Sequence, residues 1–186
     1  MNFGDGKKAE AIVSLPTEVA IDFFAKIKAG EIDFELGGLK IVDFTLHNWA
    51  GEVQVSFDEP NRAEMEVLEV DAKVGEVTLS KLGNAHFKEA EINGGIGELQ
   101  VDFTGDKLRR STARVDLDIG ETTVVLPRDL GVKMAISKFL FLSQVSVPSG
   151  FYRSGRYYYS DNYEQAPEGL FLKITSGIGE LRMKTE

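Results

Sequence analysis

A chain of 186 residues with no cysteine has no disulfide framework and no thiolate chemistry, and its length suits one sizeable core. Its formal net charge of −9 and pI of about 4.9 argue against nucleic acid or an anionic membrane surface as the partner. No stretch approaches the roughly 18 apolar residues of a membrane span, and the start Met1-Asn2-Phe3-Gly4-Asp5-Gly6 lacks an apolar signal core. The fragment itself is therefore expected to make no membrane contact.

Residues 1–10 read as a flexible start. Residues 17–29 admit two readings. Thr17 can cap a helix, with Glu18 in its first turn and Val19, Phe23 and Ile27 on one face, but Leu15, Ala20, Ile21 and Phe24 blur that face. A strand fits as well, and both readings stay open.

From Gly30 onward a phrase recurs: Gly30-Glu31, Gly51-Glu52, Gly75-Glu76, Gly97-Glu98, Gly120-Glu121 and Gly179-Glu180. The first five are separated by 21 to 24 residues, a period that marks a repeat architecture. In a strand every second side chain points the same way, so the repeat can be checked by column. Two residues after each glycine stand Ile32, Val53, Val77, Leu99, Thr122 and Leu181; four after stand Phe34, Val55, Leu79, Val101, Val124 and Met183. Five before stand Leu46, Val70, Ile92, Val115 and Ile174, and one before stand Ala50, Val74, Ile96, Ile119 and Ile178. All four columns are expected to face inward. Intervening residues such as Glu98, Gln100, Arg114 and Asp118 should face solvent.

Each repeat thus carries two strands, one ending at the glycine and one leaving it. Gly51, Gly75, Gly97, Gly120 and Gly179 are read as structural corners, where positive φ or close backbone approach excludes a Cβ. The gap of 59 residues after Gly120 hides a degenerate rung centred near Phe141, with Met134, Ile136, Val145 and Val147 on inward offsets and no corner glycine. An aromatic insertion follows at 148–170, and Leu170 to Ile174 rejoin the pattern. The expected fold is all-β: a single domain over 1–186, a right-handed parallel β-solenoid (β-helix) of about seven short rungs with a hairpin-like insertion near the C-terminus.

Chemistry is sparse. His47 and His86 are the only histidines, so neither a His-rich nor a Cys-rich zinc site can be assembled, and His47 lies at an outward offset. Gly94-Gly95-Ile96-Gly97 precedes a strand, not the helix a nucleotide fingerprint requires. Lys107, Arg109 and Arg110 read as a solvated turn. The glutamates after the corner glycines would stand about 5 Å apart if the rungs are in register, close enough to recruit a cation such as calcium, but they offer few oxygens per ion and no calcium loop. Asp102, Asp116 and Asp118 supply carboxylates for a carbohydrate-cleaving site only if a groove holds two of them at the right separation. No catalytic, metal or cofactor residue is assigned, and no cofactor is expected. The insertion is the possible interaction surface: Phe151, Tyr152, Arg153, Arg156, Tyr157, Tyr158, Tyr159 and Tyr163 suit stacking on sugars or docking a protein, or alternatively capping the open end of the core.

Three stretches carry a family likeness: Leu82 to Gly97 (LGNAHFKEAEINGGIG), Leu126 to Val132 (LPRDLGV), and Ser149-Gly150-Phe151 through Tyr159-Ser160-Asp161-Asn162-Tyr163. Together they resemble the bacterial toast-rack domains of adhesin-like proteins and of LiaF-type cell-envelope stress proteins, over roughly Ala11 to Lys184. The resemblance implies a parallel β-solenoid without established catalytic residues. It also implies a non-enzymatic binding module of the cell envelope, extracytoplasmic or tethered through a segment outside this chain, with a protein or cell-surface carbohydrate as partner. Where relatives keep a Gly-x-Gly corner before the aromatic stretch, this chain has Lys138-Phe139-Leu140-Phe141-Leu142. The remaining expectations are a cation- or glycan-binding module and, further off, a polysaccharide hydrolase or lyase.

Overall fold

The computed structural model describes residues 11–106, 110–138, 142–166 and 169–186. They form an all-β structure of twelve strands: β1 (Ala20–Ile27), β2 (Gly30–Glu35), β3 (Lys40–Asn48), β4 (Gly51–Ser56), β5 (Met65–Ser80), β6 (Phe87–Asp102), β7 (Ser111–Leu126), β8 (Gly131–Lys138), β9 (Ser143–Ser146), β10 (Phe151–Ser154), β11 (Tyr157–Ser160) and β12 (Gly169–Thr185). The only helical turn among the described residues is the short 3-10 segment Leu82–Ala85. The ambiguity at 17–29 resolves as strand β1. Its exposure alternates residue by residue, because Ile21, Phe23, Ala25 and Ile27 turn to the core while Asp22, Phe24 and Lys26 turn away. The expected flexible start, the turn residues Lys107 and Arg109, and the corner at Phe141 lie outside the described residues.

Strands β1, β3, β5, β6, β7 and β12 pair in that order, all parallel, and β2, β4 and β5 continue the same stack on the far side of the glycines. The register sets Gly30 beside Gly51, Gly51 beside Gly75, and so through Gly97 and Gly120 to Gly179. These glycines have φ between +116° and +146°. A Cβ on Gly51, Gly75, Gly97, Gly120 or Gly179 would fall well inside contact distance of the carbonyl oxygen of the glycine on the neighbouring strand. Only glycine permits both this backbone and this approach. Four strands, β5, β6, β7 and β12, run unbroken through their glycine instead of dividing there.

Three of the four expected inward columns hold. Leu46, Val70, Ile92, Val115 and Ile174, together with Val53, Val77, Leu99, Leu181, Val55, Leu79, Val101, Val124 and Met183, all belong to one buried cluster. The column immediately before the glycine does not. Val74, Ile96, Ile119 and Ile178 are 43 to 52% exposed, so the inward assignment is corrected here. Strict alternation assumes φ near −120°, and a glycine at positive φ interrupts it, leaving the residue before it exposed. Their register, Val74 beside Ile96 beside Ile119 beside Ile178, stacks the branched side chains on one another instead.

The rung order also departs from the chain order. β12 lies between β7 on one side and β8 and β9 on the other, with Leu172 beside Met134 and Leu181 beside Val145. The strand with a glycine at this position takes the place against Gly120, and β8 and β9, which lack one, lie on its far side. There Ser143 sits beside Gly179, its hydroxyl donating to the carbonyls of Ser176 and Gly177. β8 then pairs antiparallel with β11, and β11 with β10, so that a hairpin covers the β8 side of that end.

Buried polar groups tie neighbouring segments together. Asn61 is 2% exposed. Its Oδ1 accepts from the Ile41 amide at 2.9 Å, and its Nδ2 donates to the carbonyls of Ile41 at 2.8 Å and Ala85 at 3.2 Å. Asn84 repeats the device in the next sequence repeat, donating to Phe57 O and accepting from the Asp106 amide. Removing Asn61 leaves buried backbone groups unpaired. Asn61→Ala is expected to cost about 2 to 3 kcal/mol in urea unfolding, whereas Ser56→Ala, whose hydroxyl meets Glu35 in solvent, should stay within about 0.5.

Candidate functional site

The hairpin and the strands beside it build an aromatic and cationic platform. Antiparallel pairing sets Tyr159 of β11 beside Lys133 of β8 and Tyr152 of β10. Parallel pairing sets Lys133 beside Phe171 of β12, and Phe171 beside Thr112 of β7. One row of outward side chains therefore runs Thr112, Phe171, Lys133, Tyr159, Tyr152 across five strands. The next row holds Arg114, Lys173, Ala135 and Tyr157.

The rings interlock. Tyr152 stacks on Tyr159 with centroids 5.7 Å apart, and Tyr159 meets Tyr157 and Tyr163 edge-on at 6.3 and 5.1 Å. Tyr157 in turn meets Phe171 at 6.1 Å. The Lys133 ammonium lies 4.3 Å from the Tyr157 centroid and 5.2 Å from that of Phe171, a favourable placement over the negative ring faces. Arg156 stands 4.9 Å from Tyr157 and donates to its hydroxyl at 2.6 Å. Lys173 reaches over Phe171 at 5.2 Å. Among the described residues no carboxylate pairs with Lys133, Lys173 or Arg156, although the chain is acidic. A depression of about 480 Å³ adjoins the platform, lined in part by Arg110, Lys133, Tyr163 and Phe171.

The eight residues singled out in the sequence divide between two faces. Tyr152, Tyr157, Tyr159, Tyr163 and Arg156 build the platform. Phe151 and Tyr158 turn the other way and pack on the core. Arg153 sits on that second side, its guanidinium 5.7 Å from the Tyr158 ring and its Nε donating to Gly155 O. Lys133, Phe171 and Lys173 were missed, because they belong to strands outside the insertion. A signal existed: Phe171 stands between the inward Leu170 and Leu172, so alternation already turns it outward.

The His47 ring lies 3.6 Å from Asp71, on the outer face of the sheet. The corner glutamates share one column, where Arg182 bridges Glu121 and Glu180, and Gln54 donates to Glu52. The Arg182 guanidinium holds the Glu180 carboxyl below its ordinary range. Glu76 and Glu98 line a depression of about 140 Å³ with Thr78 and Gln100. Among the described residues no group of three His, Cys, Asp or Glu is placed to hold a metal ion, and no helix is long and apolar enough to cross a membrane.

No protein-family model matches the chain, and no curated protein matches it. Among solved structures it is similar to one from Clostridium sporogenes described as a "putative cell adhesion protein", with 16% sequence identity and a TM-score of 0.59, covering 89% of this chain and 93% of that one. At that identity the likeness is one of fold.

Proposed function

We propose that the chain is a toast-rack β-solenoid acting as a non-enzymatic interaction module of the bacterial cell envelope, with the aromatic and lysine platform as its contact surface. The coiled reading rests on the core. Side chains from both sides of each glycine, such as Ile92 and Leu99, enter one buried cluster, and the described residues include no second layer of helices to cover them. The strands must then cover one another, as rungs of a coil do. The fold likeness to a protein named for cell adhesion supports an adhesive role, and the sequence motifs support the family.

The observation that carries the contact surface is Lys133, held among Tyr157, Tyr159 and Phe171 with no carboxylate partner among the described residues. Ring faces stack on the C–H faces of sugars, and unpaired cations attract their acidic substituents, so the platform suits a cell-surface glycan carrying carboxylates. The inward Phe151 and Tyr158 meanwhile close the core beneath. Contact and capping are thereby assigned to opposite faces of one hairpin.

A glycan array probed with the wild-type chain, Tyr157→Ala and Tyr158→Ala separates these roles. Tyr157→Ala should lose most binding to acidic glycans while melting close to wild type. Tyr158→Ala should melt earlier and, while folded, keep its binding. Equal retention of binding by both, or no acidic glycan bound by the wild type, would remove the platform as a glycan site.

A further inference from the structure

The two ends of the stack are finished differently. At one, the antiparallel β11–β10 hairpin continues the sheet beyond β8. At the other, β1 forms the edge of the sheet, and the described residues include no strand that pairs with its outer side. Of the described segment before β1, Leu15 packs against the core, and Ile12 and Val13 are 85 and 77% exposed. The rung behind that edge is apolar and only half covered: Ile21, Phe23, Ala25 and Ile27 of β1, and Ile32 and Phe34 of β2. The space beside Gly30, filled at every later corner by a neighbouring glycine carbonyl, is open. An eight-residue edge of this kind is a template for another strand.

We propose that this edge pairs with the same edge of a second copy, β1 against β1 around a two-fold axis, joining two stacks end to end. The far end presents only the four-residue edges of β9 and β10 against the eight residues of β1, a poor match for head-to-tail stacking, which favours the self-complementary arrangement. Side-chain direction then restricts the register. Two antiparallel strands keep their inner faces together only if opposed residues have the same parity, so the axis passes through a residue. An axis at Asp22 would oppose like charges. An axis at Phe23 or Ala25 opposes Phe24 to Asp22 or to Lys26. An axis at Phe24 opposes Asp22 to Lys26 of the second copy on both sides of the stacked Phe24 pair.

The same register sets Phe23 against Ala25 and Ile21 against Ile27 inside, large against small and branched against branched. Phe24, 64% exposed in the single chain, becomes the centre of the outer face. Lys26 on an edge strand ordinarily discourages pairing. Here Asp22 four residues earlier answers it across the axis, and among the described residues neither has an ion-pair partner within its own chain. The dimer would carry its two aromatic platforms at opposite ends, a geometry suited to bridging two ligands or binding one long polymer twice.

Light scattering coupled to size exclusion should give about twice the 20.5 kDa of one chain. Asp22→Lys opposes lysine to lysine twice and should weaken the dimer by roughly tenfold or more. Lys26→Asp should do the same, and Asp22→Lys with Lys26→Asp should restore it. Because the chain lacks cysteine, oxidised Phe24→Cys should yield a covalent dimer, and Asp22→Cys, which faces Lys26, should not. Circular dichroism of each variant separates loss of pairing from loss of fold. A wild type that stays monomeric up to millimolar concentration, a dimer indifferent to the charge variants, or Asp22→Cys cross-linking as readily as Phe24→Cys would overturn the proposal.

Discussion

Gly97→Ala is expected to destabilise the fold by about 4 kcal/mol or more, while Gly30→Ala, at nearly the same backbone angle, should cost about 1 to 3. The two glycines have φ of +143° and +146°, so the conformational strain of a side chain is shared. They differ in room. A Cβ at Gly97 collides with the Gly75 carbonyl, which is fixed by the ladder and cannot retreat, whereas nothing lies within 4 Å of one at Gly30. Urea unfolding of the two variants isolates the steric part. Equal losses would mean that the corner is set by local strain alone and that the close stacking of glycine upon glycine is not there.

The second large effect belongs to Leu99. It is 2% exposed, and Val77 and Thr122 flank it on the neighbouring strands. Leu99→Ala should cost about 2 to 5 kcal/mol through lost burial and the cavity left behind. Gln100, the next residue, faces solvent, and Gln100→Ala should change stability by no more than about 0.5. Thermal melts of both variants test the alternation directly, since a strand slipped by one residue would exchange the two results.

Much of the stack is legible in the sequence because its physics is local and repeated. A glycine every 21 to 24 residues, with apolar side chains two and four places later, is enough to name which residues share a face. The strands' parallel register carries those columns across: Val77, Leu99 and Thr122 do stand side by side. Where the reading fails, a non-local or conformational term is responsible. Val74, Ile96, Ile119 and Ile178 look inward by parity, but parity does not survive a glycine at positive φ.

The position of β12 between β7 and β8 is invisible to a period, since it depends on which corner fits against Gly120. The platform shows the same division. Its tyrosines cluster in the chain and announce themselves; Lys133, Phe171 and Lys173 come from strands that only the pairing brings together. The resemblance to toast-rack domains implied an all-β fold of parallel strands, which the main run of described strands bears out, and the likeness to the solved structure from Clostridium sporogenes is one of fold.

The in-register stack is tested most directly by distances along its glutamate column, where Glu31, Glu52, Glu76, Glu98, Glu121 and Glu180 stand on successive neighbouring strands. Nitroxides placed in pairs at Glu31 with Glu98, Glu121 or Glu180 lie three, four and five strand spacings apart. Pulsed electron resonance should give distances that climb in steps of about 4.8 Å, to roughly 24 Å for the longest pair. A Glu31 to Glu180 distance shorter than Glu31 to Glu98, or three distances without that order, would contradict the stack.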